Sequence, residues 1–158
     1  MRSMLNKPPS ALNIALRLLA RREHSAQELR SKLAARGCEP DAVSATLAEL
    51  ARRGWQSDDR YARAAVSSGA RKGHGPLRIR LQLNRAGVDA ALTAEQLASH
   101  DLDWQQEAHK AAEKYLRGKD SHDLKTKAKL QTFLLRRGFS SDQIRATMKA
   151  IRLSVHIE

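Results

Sequence analysis

The sequence is poor in the residues that most often carry chemistry. One cysteine, Cys38, stands among 158 residues, which excludes an intramolecular disulfide and a multi-cysteine zinc site and fits a reducing cytosol. Aromatic residues make up 4%, too few for a surface that holds bases chiefly by stacking. No segment approaches the roughly 20 consecutive apolar residues of a membrane span. The most apolar stretch, Ala11 to Ala20, contains Arg17 and runs into Arg21-Arg22, so it reads as an amphipathic helix rather than a signal peptide. Acids are outnumbered too: 17 Asp and Glu against 29 Lys and Arg leave a net charge of +12. That excess points to an anionic partner, whether nucleic acid, an acidic protein face or anionic lipid, and says nothing of fold.

Catalytic constellations are missing as well. Gly69 to Gly75 lacks the spacing of a phosphate-binding loop and follows no strand, and no H-E-x-x-H occurs. The histidines, His24, His74, His100, His109, His122 and His156, are scattered singly and read as surface residues. Cys38 follows a helix-ending glycine and reads as apolar filler. Asp58 and Asp59 sit at a helix start, where they offset the helix dipole. The sequence therefore predicts no enzyme, no metal site and no cofactor.

What is present is helical periodicity. Leu12, Ala15, Leu16 and Leu19 form one stripe. Ser25 with Glu28 three residues later is a capping box opening a second helix, which carries Leu29 and Leu33 and stops at Gly37. A third helix starts near Pro40 and stops at Gly54. The pattern recurs. Apolar residues lie four and eight positions before Gly37 (Leu33, Leu29), Gly87 (Leu83, Ile79) and Gly138 (Leu134, Leu130), and each glycine is followed by an apolar residue. The glycines are spaced by 50 and 51 residues, a period that predicts a helical array. The expected architecture is all-α: three tandem three-helix repeats in an elongated, curved array, at residues 10–54, 55–101 and 102–153. Trp55 and Trp104 open the second and third units and read as packing between units. One segment conflicts with this: Leu77 to Leu83 alternates strictly, as a strand would. Pro76, suited to the first turn of a helix, and the repeat register favour helix. Leu77 and Leu81 then form an extra apolar pair opposite the core stripe, for packing against a neighbouring unit or for a partner contact.

From Arg60 to Val88 the chain has seven basic residues and no acid. Of these, Arg71, Lys72, Arg78 and Arg85, with His74, form the expected anion site, supported by Arg60 and Arg63. The connector Gly73-His74-Gly75 reads as flexible, and the free N–H groups of the helix after it would add to anion recognition. A secondary basic surface comprises Lys125, Lys129, Arg136 and Arg137, close to Lys127.

The run from Asp58 through Lys72-Gly73-His74-Gly75-Pro76-Leu77-Arg78-Ile79 to Val88 resembles the signature of the RecX regulatory proteins. So do Lys129 to Ser140 and the opening unit around Arg21 to Leu29. Ala65 stands where that family often has an aromatic residue, and Gln82 where it often has Glu. The resemblance implies three three-helix units in a protein of the bacterial cytoplasm, and the chain is expected to be a monomer. It also implies a protein that binds RecA and RecA-coated single-stranded DNA, contacts DNA more weakly by itself, and inhibits recombinase, ATPase and co-protease activities. The alternative expectation is a stand-alone helical DNA- or RNA-binding module.

Overall fold

In the computed structural model, residues 9–99 and 101–154 are described. Among them every regular element is an α-helix: α1 (Ala11–Arg21), α2 (Ala26–Ala35), α3 (Pro40–Arg52), α4 (Asp58–Arg71), α5 (Pro76–Arg85), α6 (Ala90–Ser99), α7 (Trp104–Leu116), α8 (Leu124–Arg137) and α9 (Ser141–Ser154). They group in threes, and each three encloses its own core. The first core centres on Leu29, Leu33 and Leu50, the second on Ala62, Val66, Ile79 and Leu83, the third on Leu130, Leu134 and Phe139. Side chains at these positions are almost wholly withdrawn from water, each contributing about 1.5–3 kcal/mol relative to exposure if large and aliphatic. Small residues (Ala62, Ala65, Ala108, Ala111, Ala112) let α4 and α7 approach their neighbours closely. The alternating stretch Leu77 to Leu83 is helical, with only Ile79 and Leu83 in the core.

Helix ends follow the sequence with small shifts. The Ser25–Glu28 capping box forms in full. Ser57 caps α4, and Asp103 and Asp123 cap α7 and α8 through their carboxylates. Ser140 opens α9: its hydroxyl accepts from the Gln143 N–H at 3.2 Å while Gln143 Oε1 accepts from the Ser140 N–H at 2.8 Å.

The units join through the ends of their middle helices. The Arg137 carbonyl, at the end of α8, accepts the Gly75 N–H at 2.7 Å, and the Gly138 carbonyl accepts the Leu77 N–H at 2.9 Å. One unit earlier, the Ala86 carbonyl at the end of α5 accepts the Ser25 hydroxyl at 2.6 Å. The negative end of α8 thus meets the positive end of α5, and the end of α5 meets the start of α2. Approach this close leaves no room for a side chain. A Cβ on Gly138 would stand 2.4 Å from the Arg78 Cβ and 2.5 Å from its backbone nitrogen, and one on Gly75 would stand 2.5 Å from the Gly138 carbonyl.

Polar side chains complete the first junction. Glu28 serves its own capping box and also accepts from the Tyr61 hydroxyl at 3.2 Å. Asp58 accepts the Ala26 N–H at 2.9 Å, so it caps α2 as well as opening α4. His24, expected at the surface, is only 2% exposed. Its Nδ1 contacts the Arg22 carbonyl at 3.0 Å and its Nε2 contacts Lys32 Nζ at 3.1 Å, a pairing that requires a neutral ring with Nδ1 protonated. Trp104 behaves as expected, packing on the second core with its indole N–H on the Leu97 carbonyl at 3.2 Å. Trp55 does not: it is 43% exposed, with Arg53 lying over its ring.

Two predictions follow from these junctions. Gly37 and Gly138 share a left-handed backbone, φ +81 and +92, but among the described residues nothing stands within 4 Å of a Cβ on Gly37. In urea denaturation, Gly37→Ala should cost about 1 kcal/mol for the backbone alone, and Gly138→Ala roughly 1–3 kcal/mol more because it collides with Arg78. Equal losses would show that the junction yields freely. For His24, burial is the main cause that lowers the imidazole pKa below 6.5, with Arg22 and Lys32 adding to it against the hydrogen bond to Arg22. The unfolded chain therefore takes up this proton first as pH falls, and stability declines below about pH 6.5. Between pH 7 and 5.5 the urea midpoint of His24→Gln should fall less than that of the native protein.

Candidate anion-binding cleft

The junction between the second and third units bounds a cleft of about 880 Å³ lined by the end of α4, by α7 and by α8. Five cations face it, Arg71, Lys72, Lys110, Lys114 and Arg137, against two acids, Asp101 and Glu107. Glu107 already pairs with Lys110 at 3.1 Å. Arg137 is held by its own bond to the Lys72 carbonyl at 3.0 Å and lies 4.9 Å over Phe133. Phe133 stacks on Tyr115 with centroids 4.6 Å apart, and Lys119 Nζ sits 3.6 Å over the Tyr115 ring. Both rings of the stack thus already carry a cation. What the cleft offers a ligand is several lysine and arginine donors in one concavity, the arrangement that suits phosphate oxygens or carboxylates.

The sequence-predicted residues divide between two neighbouring surfaces. Arg71 and Lys72 belong to this cleft. His74, Arg78 and Arg85 line a second groove of about 640 Å³ on the other flank of α8, together with Arg136. Burial first, then the charges of Arg78, Arg137 and Lys72, push the His74 pKa down, so its ring joins the site as a neutral donor or acceptor at neutral pH. Lys125, Lys129 and Arg136 line a smaller groove beside Tyr115 and Phe133, whereas Arg137 turns into the main cleft. The two supporting residues are engaged elsewhere. Arg60 binds Glu23 at 3.0 Å and the Gly54 carbonyl at 2.7 Å, tying the first unit to the second, and Arg63 pairs with Asp59 at 2.9 Å.

Two expectations for the connector are overturned. The N–H groups of Gly75 and Leu77, expected to await an anion, are occupied by the carbonyls of Arg137 and Gly138. The close approach that Gly75 permits is likewise made by the backbone of the third unit, not by a ligand. With the His74 N–H on the Gly69 carbonyl at 2.9 Å, the segment is pinned along its length, not the flexible link the sequence suggested. Conversely, Lys110 and Lys114 escaped sequence reasoning. Their spacing of four on α7, beside the inward stripe of Ala111 and Tyr115, was the available signal.

Among the described residues, no group of three or more His, Cys, Asp or Glu side chains could hold a metal, and no helix is long and apolar enough to cross a membrane.

Three family models match the chain in order: RecX, first three-helix domain, over residues 11–50; RecX, second three-helix domain, over residues 57–97; and RecX, third three-helix domain, over residues 101–148. The regulatory protein RecX of Xanthomonas axonopodis pv. citri is 40% identical over 143 residues, covering 90% of this chain and 88% of that protein. The protein of the same name from Stenotrophomonas maltophilia is 41% identical over 131 residues, covering 83% and 80%. The crystal structure of RecX from Lactobacillus salivarius superposes with a TM-score of 0.78 at 26% identity, covering 90% of this chain and 95% of that one. A second structure, of a regulatory protein RecX, gives a TM-score of 0.73 at 22% identity and so speaks for the fold alone. With all three of its units matched in sequence, the chain belongs to the RecX family of regulatory proteins.

Proposed function

We propose that this chain binds RecA and the RecA–DNA filament in the bacterial cytoplasm, and that it restrains recombinase, ATPase and co-protease activities without being an enzyme itself. The observation that carries the reading is the cleft between the second and third units, where five cations from three helices converge around a junction fixed by backbone bonds. Such a surface recognises a polyanion at several points at once, and linked weak contacts give avidity without a deep pocket. It reads no base sequence, which suits a coated strand of arbitrary sequence. Membership of a family of regulatory proteins supports a regulatory partner, and RecA is the partner that the RecX resemblance implies.

The direct test is titration of the protein into RecA-catalysed, DNA-dependent ATP hydrolysis. Inhibition should saturate; no inhibition at excess protein would refute the reading. The double variant Arg71→Glu/Lys114→Glu, both residues lining the cleft, with helicity unchanged by circular dichroism, should bind RecA–single-strand filaments at least ten times more weakly. It should also show a log–log salt slope shallower by about one to two, because about 0.7 counterion is released per neutralised single-strand phosphate. An unchanged affinity and slope would remove the cleft from the interface.

A further inference from the structure

The groove on the other flank of α8 has a different chemistry from the cleft. Its floor holds Leu77 and Leu81 of α5 and Leu135 of α8, which are 45, 47 and 61% exposed. None of the three is needed by a core: α5 turns Ile79 and Leu83 inward and α8 turns Leu130 and Leu134 inward. The apolar pair read in the sequence stays about half exposed at the boundary with the third unit, which adds a third leucine to it. Around this floor stand His74, Arg78, Arg85 and Arg136, and no carboxylate lines the groove. The two concavities share no residue, since α8 gives Phe133 and Arg137 to the cleft and Leu135 and Arg136 to the groove.

We propose that the leucine groove docks an acidic, amphipathic protein segment: apolar side chains seat on Leu77, Leu81 and Leu135 while flanking Asp or Glu side chains meet Arg78, Arg85 and Arg136. Charge complementarity selects the acidic partner, and the leucines select protein over nucleic acid. Phosphates would satisfy the rim and leave the apolar floor wet, and bases call for aromatic platforms that the groove does not have. A concave channel between two helices also accepts a helix ridge, the mode in which leucines spaced by three or four residues serve as anchors. The inference rests on the regulatory reading above and divides it: the cleft holds phosphate while the groove holds protein, so one molecule engages both components of a nucleoprotein.

The full chain, labelled with ¹⁵N, would be titrated with a synthetic helix bearing leucine at every third or fourth position and glutamate between. Amide shifts should concentrate at residues 77–82 and 135–138. A serine-for-leucine version of the peptide should bind at least tenfold more weakly, as should the triple variant Leu77→Ser/Leu81→Ser/Leu135→Ser. That variant should keep its thermal midpoint, because its leucines are exposed, and its affinity for oligo(dT), while losing at least tenfold in potency against RecA ATP hydrolysis. Equal binding of the leucine and serine peptides, shifts elsewhere, or unchanged potency of the variant would overturn the proposal. Leucine-dependent binding to phosphatidylglycerol vesicles in place of the peptide would do so too, by assigning the groove to lipid. If the native protein fails to inhibit RecA, the regulatory reading falls by itself, and the peptide titration still decides the groove.

Discussion

The contact on which the arrangement of units depends centres on the backbone carbonyls at helix ends. A carbonyl at the end of one middle helix meets the start of the middle helix one unit earlier, at Arg137 to Gly75 and again at Ala86 to Ser25. Each contact satisfies a polar group that a helix end would otherwise leave without a partner inside the protein, and each sets opposite helix-dipole ends together. The cores of the three units are separate, so burial within a unit does not fix where the next one lies. The junctions do. Because the same α8–α5 junction separates the basic cleft from the leucine groove, the candidate surfaces owe their geometry to two hydrogen bonds and two glycines.

Much of this was legible in the residues. Capping boxes, helix-ending glycines and a recurrent stripe of leucines are local signals, and local signals survive folding when helix packing agrees with them. The strand-like alternation of Leu77 to Leu83 misleads only if read without its flanks: Pro76 and the repeat register mark a helix with two apolar stripes, of which one enters the core. The glycine period was visible as well. Its full meaning was not, because Gly87 and Gly138 do two jobs. Each ends its helix with a positive φ, and each gives up its side chain so that a neighbouring residue (Gln27 or Arg78) can press against it.

The site was less legible for two reasons. A charge run in sequence is a one-dimensional object, and helices distribute its members around their axes. The acid-free window placed Arg71, Arg78 and Arg85 together, but the fold sends Arg71 to one concavity and Arg78 and Arg85 to another. Lys110 and Lys114 show the reverse: Glu107 and Glu113 stand close in sequence and disguise two lysines that share the cleft wall. The second reason is competition for polar groups. Arg60 and the N–H groups at the start of α5 looked available, and the neighbouring units take them. His24 carries no pattern at all. Its burial follows from the meeting of two units around it.

A boundary written in carbonyls, N–H groups and glycines is portable. Side chains on the outer faces can change without altering how one unit seats on the next, provided that the middle helix still ends in glycine and the preceding one still begins with an open donor. Such a chain behaves like a coupling with a standard thread: its pitch is set by the backbone, and its cargo-facing surfaces are free to vary. Gly37, which ends the middle helix of the first unit and has nothing against it among the described residues, is the open half of that thread. An engineered array could be extended there by supplying a further middle helix whose start carries a serine or glycine cap.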